Sequence, residues 1–380
     1  MSSRALRQTQ IYWGTIPVAV KNFPRAGVRT SHPDRGKFST ASFSKGESPV
    51  LSFQYRHFYL RICTDMHQKL YSKLVDKLDS TRSTINSFSK NAPNKYKVYT
   101  IPKRTSGHRV IAHPSKELKK YQRALVSILS DILNIHPTSY AYRTGFSIKD
   151  NAYKHRKNQY LLKMDFSDFF NSIEPKLLFF VFDECEIHFS SSELRLLEKL
   201  LFWNKNKSVD AKLALSVGAP SSPLISNFIM CIFDEKINYF CEKNGITYTR
   251  YADDLTFSSN KKNILFNVPN IVKNLLKEEY KNLILVNDLK TCFSSKAHNR
   301  HITGVTINND AELSIGRDRK RLISAMINNY KKGILLSEDF DYLRGILSFA
   351  NNIEPDFISR MKRKYGKCIL LKIKKGLPNE

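Results

Sequence analysis

The chain has 380 residues, 41% of them hydrophobic, with 62 Lys and Arg against 34 Asp and Glu, a formal net charge of +28 and a pI near 9.8. That length and apolar content exclude a disordered chain and allow two or three subdomains around a sizeable core. The charge calls for a polyanionic partner; because no apolar run approaches the roughly 18 residues that cross a bilayer and no cationic-then-apolar leader opens the chain, nucleic acid is expected rather than membrane, in the cytoplasm.

Residues 1–65 carry Pro17, Pro24, Pro33 and Pro49, and ten Lys or Arg against three acids. They read as a basic, loosely structured arm. From Met66 a helical period begins with Leu70, Leu74 and Leu78. Residues 95–111 read as a hairpin that turns at Thr105-Ser106-Gly107-His108. Leu118, Tyr121, Leu125 and Ile128 give an amphipathic helix over 116–133. A buried strand is predicted at 160–164, helices at 177–182 and 194–202, and one long apolar helix at 224–240 behind Ser222-Pro223. A second hairpin spans 248–258, followed by a helix at 271–280 and strands at 283–286 and 301–307. Residues 317–380 read as helical and hold 15 Lys or Arg against 7 acids. Strands and helices mixed with antiparallel hairpins predict an α+β fold. Cys63, Cys185, Cys231, Cys241, Cys292 and Cys368 form no C-x-x-C pair. They read as buried free thiols in a reducing compartment, with neither a zinc site nor a disulfide framework.

Two places concentrate acids at the ends of apolar strands. Lys163-Met164-Asp165-Phe166-Ser167-Asp168 puts Asp165 where a buried strand stops, with Asp168 read as a helix cap. Tyr251-Ala252-Asp253-Asp254 puts two adjacent carboxylates at a hairpin tip. Like charges at that range repel, and a doubly positive ion between them offsets the repulsion. Three carboxylates on neighbouring strand ends can hold two Mg²⁺ for phosphoryl transfer, which depends mostly on alignment and charge neutralisation.

These motifs resemble reverse transcriptases, specifically the bacterial retron type, over roughly residues 90–370. Asp165 with Phe169-Phe170 is similar to the family's first palm motif. Gly218-Ala219-Pro220-Ser221-Ser222-Pro223 is similar to the turn that opens the palm helix beneath the template. Tyr251-Ala252-Asp253-Asp254 is similar to the catalytic hairpin. Asn151-Ala152-Tyr153-Lys154-His155 resembles the retron N-A-x-x-H signature, and Ile302-Thr303-Gly304 resembles its V-T-G triplet. The stretch from Leu343-Arg344-Gly345 to Tyr365-Gly366 resembles the thumb. One departure stands out: Ser216-Val217 occupies the place where many relatives carry Pro-Gln, and Val217 cannot hydrogen-bond template or nucleotide as Gln does.

The resemblance implies a right-hand polymerase, with fingers at 66–159, a palm with an antiparallel sheet at 160–312 and a basic helical thumb at 313–380. It implies Asp165, Asp253 and Asp254 as ligands of two Mg²⁺. Lys103 and Arg109 would contact the incoming dNTP, with Phe170 as a gate below its sugar, Gly218 beside it and Lys290 near the leaving pyrophosphate. Asn151 and His155 would organise the fold or contact template RNA. Arg317, Arg319, Lys320, Arg321, Arg363, Lys364 and Tyr365 form the expected RNA-binding surface, since basic residues mixed with aromatics suit a structured RNA. The implied activity is DNA synthesis on a cognate noncoding RNA, primed from a guanosine 2′-OH to give a branched RNA–DNA (msDNA), in antiphage defence beside a separate effector or toxin. The alternatives are another bacterial reverse transcriptase of the group II intron kind, or an RNA–DNA-binding scaffold that restrains an effector.

Overall fold

A computed structural model describes residues 70–102, 107–206 and 212–377. The expected arm at 1–65, Cys63 and Lys103 lie outside the described residues. Helices Leu70–Leu78, Arg82–Ser89 and Lys116–Leu129 come first among the described residues. Side-chain caps set two of these starts: Thr81 accepts from the Thr84 amide and Ser115 from the Leu118 amide. Leu118, Tyr121, Leu125 and Ile128 are buried, as their spacing predicts. Strands β1 (Tyr96–Pro102) and β2 (His108–Pro114) pair antiparallel. Beyond Tyr96 every β1 residue is exposed, so the ribbon projects from the body.

Strand β3 (Tyr160–Asp165) follows helix Ile148–His155, and the short strands β4 (Trp203–Asn204) and β5 (Leu213–Ala214) pair with each other. Strands β6 (Thr247–Tyr251), β7 (Asp254–Ser259) and β8 (Cys292–Ser295) join β3 in one antiparallel sheet of order β6-β7-β3-β8. Side chains alternate across this sheet. Leu162 and Phe257 enter the large core shared with helices Ser222–Ile229, Cys231–Asn244 and Val268–Tyr280, and Leu161 enters a second cluster on the opposite side.

Three sequence expectations change here. The long helix predicted at 224–240 is two helices, because Met230 takes φ −77°, ψ −1° and its N–H is shared between the Phe228 and Ser226 carbonyls. Residues 283–286 form no strand. Lys281 and Asn282 sit at positive φ, and the segment crosses the end of β3 through an isolated Phe166–Val286 bridge; the neighbour of β3 is β8. The strand predicted at 301–307 folds back on itself as β9 (Arg300–Ile302) and β10 (Val305–Ile307), turning at Thr303 (φ 44°) and Gly304 (φ 90°). Two positive φ values in a two-residue loop are what a tight hairpin matching the strand twist requires.

With β11 (Leu313–Ser314), this small sheet packs on helices Arg317–Lys331, Ser337–Ile353, Pro355–Tyr365 and Lys367–Lys375. Ile302, Val305 and Ile307 share one apolar cluster with Ile323, Leu343, Ile353 and Ile373. The limit expected at 312 lies between β10 and β11, and the same cluster also takes in Leu161 of β3. The cysteines also differ from expectation: Cys231 and Cys241 are buried, but Cys292 and Cys368 are exposed. Among the described residues no helix is long and apolar enough to cross a membrane.

Helix Ile148–His155 opens with a capping box between Ser147 and Asp150 and buries Asn151, Ala152 and His155. The Thr249 hydroxyl donates to Asn151 Oδ1 at 2.6 Å, so it has only lone pairs left for His155 Nε2 at 2.7 Å. Nε2 therefore carries the ring proton, and Nδ1 accepts from Ser258 Oγ at 2.7 Å. Asn151 Nδ2 reaches Thr303 Oγ1 at 3.4 Å. Both residues are inside the protein with their polar atoms engaged, so the RNA contact expected of Asn151 and His155 gives way to the fold-organising role: they pin this helix to β6, β7 and the β9–β10 turn.

Burial, helped by Lys154, lowers the His155 pKa to about 3. An unfolded His titrates near 6.5, so below that pH the unfolded chain binds a proton that the folded one refuses. The stability from neutral His155 is full above pH 6.5 and is lost as the pH falls toward 3, with a slope of at most about 1.4 kcal/mol per pH unit. Urea unfolding of His155→Gln across pH 7 to 4 is expected to show a shallower loss than wild type. Identical slopes would contradict this assignment.

Candidate active site at the β6–β7 hairpin

The acids predicted from sequence meet at one end of the sheet. Asp165 and Asp254 are facing partners in the β3–β7 register, and Asp253 lies in the turn just before β7. That turn is tight: Ala252 takes φ 59°, a left-handed conformation that costs a residue with a Cβ on the order of 1 kcal/mol. Backbone bonds fix it against β3, with the Phe166 N–H donating to the Asp253 carbonyl at 3.1 Å and the Asn287 N–H to the Asp165 carbonyl at 2.7 Å. Lys290 follows on a short 3₁₀ turn, Asp288–Lys290, and its ammonium lies 2.7 Å from Asp165 Oδ2.

Burial and the neighbouring Asp165 raise the Asp253 pKa, against a backbone hydrogen bond and the charges of Lys290 and Arg109. Asp254 opens toward solvent yet loses hydration to the protein around it. With Asp253 and Asp165 beside it, its carboxyl is pushed up to about 7. This is the electrostatic signature of a site shaped to receive positive charge.

Arg250, which the sequence reading passed over, lies directly beneath the turn. It is fully buried and ion-paired to Asp234 of helix Cys231–Asn244 at 2.6 Å. Burial opposes its charge, but Asp234 more than offsets this and the pKa is raised. Its Nη1 donates to Asn227 Oδ1 at 3.0 Å and to the Ala252 carbonyl at 3.1 Å. The signal in sequence was an Arg inside a strand whose neighbours are buried.

The remaining candidates spread around this centre. Arg109 is exposed on β2, opposite Ile101, and close enough to lower the Asp253 pKa. Gly218 takes φ 114°, and a Cβ there would meet the Ala112 carbonyl and Ile111 of β2 at 3.6 Å, so this turn packs against the projecting ribbon. Phe170 is half-buried in the short helix Phe169–Ser172, its ring 5.5 Å from that of Phe169. Asp168 occupies the helix's N-terminal position but accepts from Asn171 Nδ2 rather than from a backbone amide.

In the basic helical segment, Arg317, Arg321, Arg363 and Lys364 are exposed. Arg319 is turned inward, donating to the Gly304 carbonyl and lying over Phe349. Lys320 pairs with Glu354 at 2.7 Å, and the Tyr365 hydroxyl bonds Ser324. All three are half-buried with contacts inside the protein, whereas Arg317, Arg321, Arg363 and Lys364 face solvent.

Among the described residues no three Asp, Glu, His or Cys side chains close into a metal cage by themselves. Magnesium is usually held by one or two carboxylates, with substrate phosphates and waters completing the shell. Oxygen donors from Asp165 and Asp254, with Asp253 adjacent, fit a hard divalent cation shared with substrate in that way.

Comparison with known proteins agrees with this geometry. The family model described as reverse transcriptase (RNA-dependent DNA polymerase) matches residues 101–307. The retron Ec83 reverse transcriptase of Escherichia coli is 47% identical over 280 residues, covering 74% of this chain and 90% of that protein. The retron Ec73 reverse transcriptase of the same organism is 31% identical over 311 residues, covering 78% of this chain and 95% of that protein. The retron Mx65 reverse transcriptase of Myxococcus xanthus is 28% identical, covering 71% of this chain and 64% of that protein. The retron matches set aside the group II intron alternative. The chain belongs to the reverse transcriptases, as an RNA-directed DNA polymerase of the bacterial retron type with a right-hand α+β fold.

Proposed function

We propose that Asp165, Asp253 and Asp254 hold two Mg²⁺ and join dNTPs to a primer on a cognate structured noncoding RNA. The observation that carries this reading is the register of β3 and β7, which sets Asp165 and Asp254 face to face with Asp253 in the adjoining turn. Bound magnesium would supply charge neutralisation at the attacking and leaving oxygens. The protein's own part is alignment. Lys103 and Arg109 grip the triphosphate, Arg by a bidentate fork and Lys as a point charge. Gly218 brings the palm turn against the ribbon that carries Arg109, and Lys290 stands beside Asp165 where pyrophosphate departs. The ring of Phe170 fills the space a ribose 2′-OH would need.

The resemblance to retron enzymes supports a finer reading. The primer is the 2′-OH of a guanosine in the same RNA, and the product is a branched RNA–DNA. The setting is the bacterial cytoplasm, in antiphage defence with a separately encoded effector protein. Arg317, Arg321, Arg363 and Lys364 offer exposed positive charge to the RNA backbone, in a chain whose net charge is +28.

Asp253→Asn with Asp254→Asn is expected to abolish dNTP incorporation on an RNA template while leaving RNA affinity unchanged. Persistent incorporation would remove the carboxylates from the chemistry, and persistent biological activity without incorporation would favour the scaffold alternative. Phe170→Ala is expected to raise NTP use relative to dNTP by about tenfold or more, as loss of a steric clash does; unchanged discrimination would remove the gate. Arg363→Glu with Lys364→Glu is expected to weaken RNA binding and to lower the slope of log affinity against log salt by about two. The same slope in variant and wild type would place the RNA elsewhere.

A further inference from the structure

The buried Arg250–Asp234 pair has a feature that stability alone does not require. A guanidinium has five N–H donors in a rigid fork. Nε and Nη2 satisfy Asp234, at 2.9 and 3.1 Å from Nε to Oδ1 and Oδ2 and at 2.6 Å from Nη2 to Oδ2. Nη1 points the other way, to Asn227 Oδ1 and to the carbonyl of Ala252. Ala252 is the left-handed residue of the turn that carries Asp253 and leads into Asp254.

The base of the fork is tied by further hydrogen bonds. Asp234 also accepts from the Tyr248 hydroxyl at 2.7 Å. Asn227 is held by Ser139 Oγ at 2.9 Å and donates to the Ala141 carbonyl at 2.9 Å. The Arg250 main chain is tied outward to residues 138 and 140, its N–H donating to the Thr138 carbonyl at 2.9 Å and its carbonyl accepting from the Tyr140 N–H at 2.8 Å.

We propose that Arg250 is a positioning residue for DNA synthesis: it transmits the rigidity of this buried cluster to the Ala252 carbonyl and so holds the left-handed turn that sets Asp253 and Asp254 against Asp165. The proposal rests on the reading that Asp253 and Asp254 act in the chemistry. Without the Nη1 bond, the turn relaxes toward the conformations an Ala prefers, and the two carboxylates shift relative to β3 while the sheet stays intact.

Two single variants separate positioning from stability. Arg250→Lys keeps a positive charge for Asp234, but one ammonium cannot also reach Ala252. Tyr248→Phe removes a hydrogen bond from the same buried carboxylate and leaves the turn bond in place. Arg250→Lys is expected to lower the single-turnover rate of dNTP incorporation about a hundredfold, the penalty of a misplacement near 1 Å, and to raise the Mg²⁺ concentration for half-maximal rate. Tyr248→Phe is expected to lower Tm comparably while keeping both quantities near wild type. Should Arg250→Lys fold poorly, Arg250→Gln with Asp234→Asn leaves no buried charge and is read in the same two assays, with the same losses expected.

Activity that falls in step with Tm in both single variants, or a folded Arg250→Lys with wild-type rate and Mg²⁺ dependence, would overturn the positioning role. Asp253→Asn assayed in parallel keeps the two claims apart. If it still incorporates dNTP, the reading of the acids fails; if it is inactive, the Arg250 result bears on positioning alone.

Discussion

The constraint on which the rest of this structure depends is electrostatic. Three carboxylates that repel one another are fixed at the end of one sheet, and the fold keeps them there. The β3–β7 register brings Asp165 and Asp254 face to face, and the tight turn adds Asp253. Lost hydration, and after it their mutual repulsion, raises the pKa values of Asp253 and Asp254. Such a cluster is unfavourable for stability and useful for chemistry, because a site that repels its own acids attracts cations. The surrounding architecture can be understood as the support that keeps the cluster from relaxing.

That support comes from buried polar groups as much as from packing. Arg250 and Asp234 are an ion pair with no exposure, and removing one partner alone strands the other at a cost on the order of 3–5 kcal/mol. A neutral His155, bonded through both ring nitrogens, ties a helix to β6 and β7. Asn151 extends the same network to the turn between β9 and β10. The helix bearing the N-A-x-x-H motif therefore joins the sheet that carries the acids to the small sheet that shares a core with the C-terminal helices. The basic C-terminal helices are thus linked through one helix to the strands that carry the acids.

Much of this was legible in the sequence, for a physical reason. Asp165, Asp253 and Asp254 stand where apolar strand patterns stop, and acids at strand ends next to a tight turn are a local signal. Amphipathic spacing likewise located the helix with Leu118, Tyr121, Leu125 and Ile128. What was not legible depends on partners distant in the chain. Nothing local to His155 announces that Thr249 and Ser258 saturate its ring, so a fold-organising role and an RNA contact both stayed open. Arg250 resembles any other cation of a very basic chain until Asp234 and Asn227 are brought against it. Lys320 and Arg319 looked like surface charge for the same reason, and Glu354 and the Gly304 carbonyl claim them. The apolar stretch at 283–286 had the composition of a strand, but β8 takes the edge beside Tyr160–Lys163 and leaves it only a single bridge, Phe166–Val286, where β3 ends.

The central claim is that the two facing carboxylates and their neighbour in the turn share divalent metal with the substrate. Anomalous diffraction from crystals of the protein with RNA template, terminated primer, dNTP and Mn²⁺ tests it most directly. The account predicts anomalous peaks within coordination distance of Asp165 and Asp254, bridging to the triphosphate. A nucleotide bound with its triphosphate in place and no anomalous density beside these acids would contradict it.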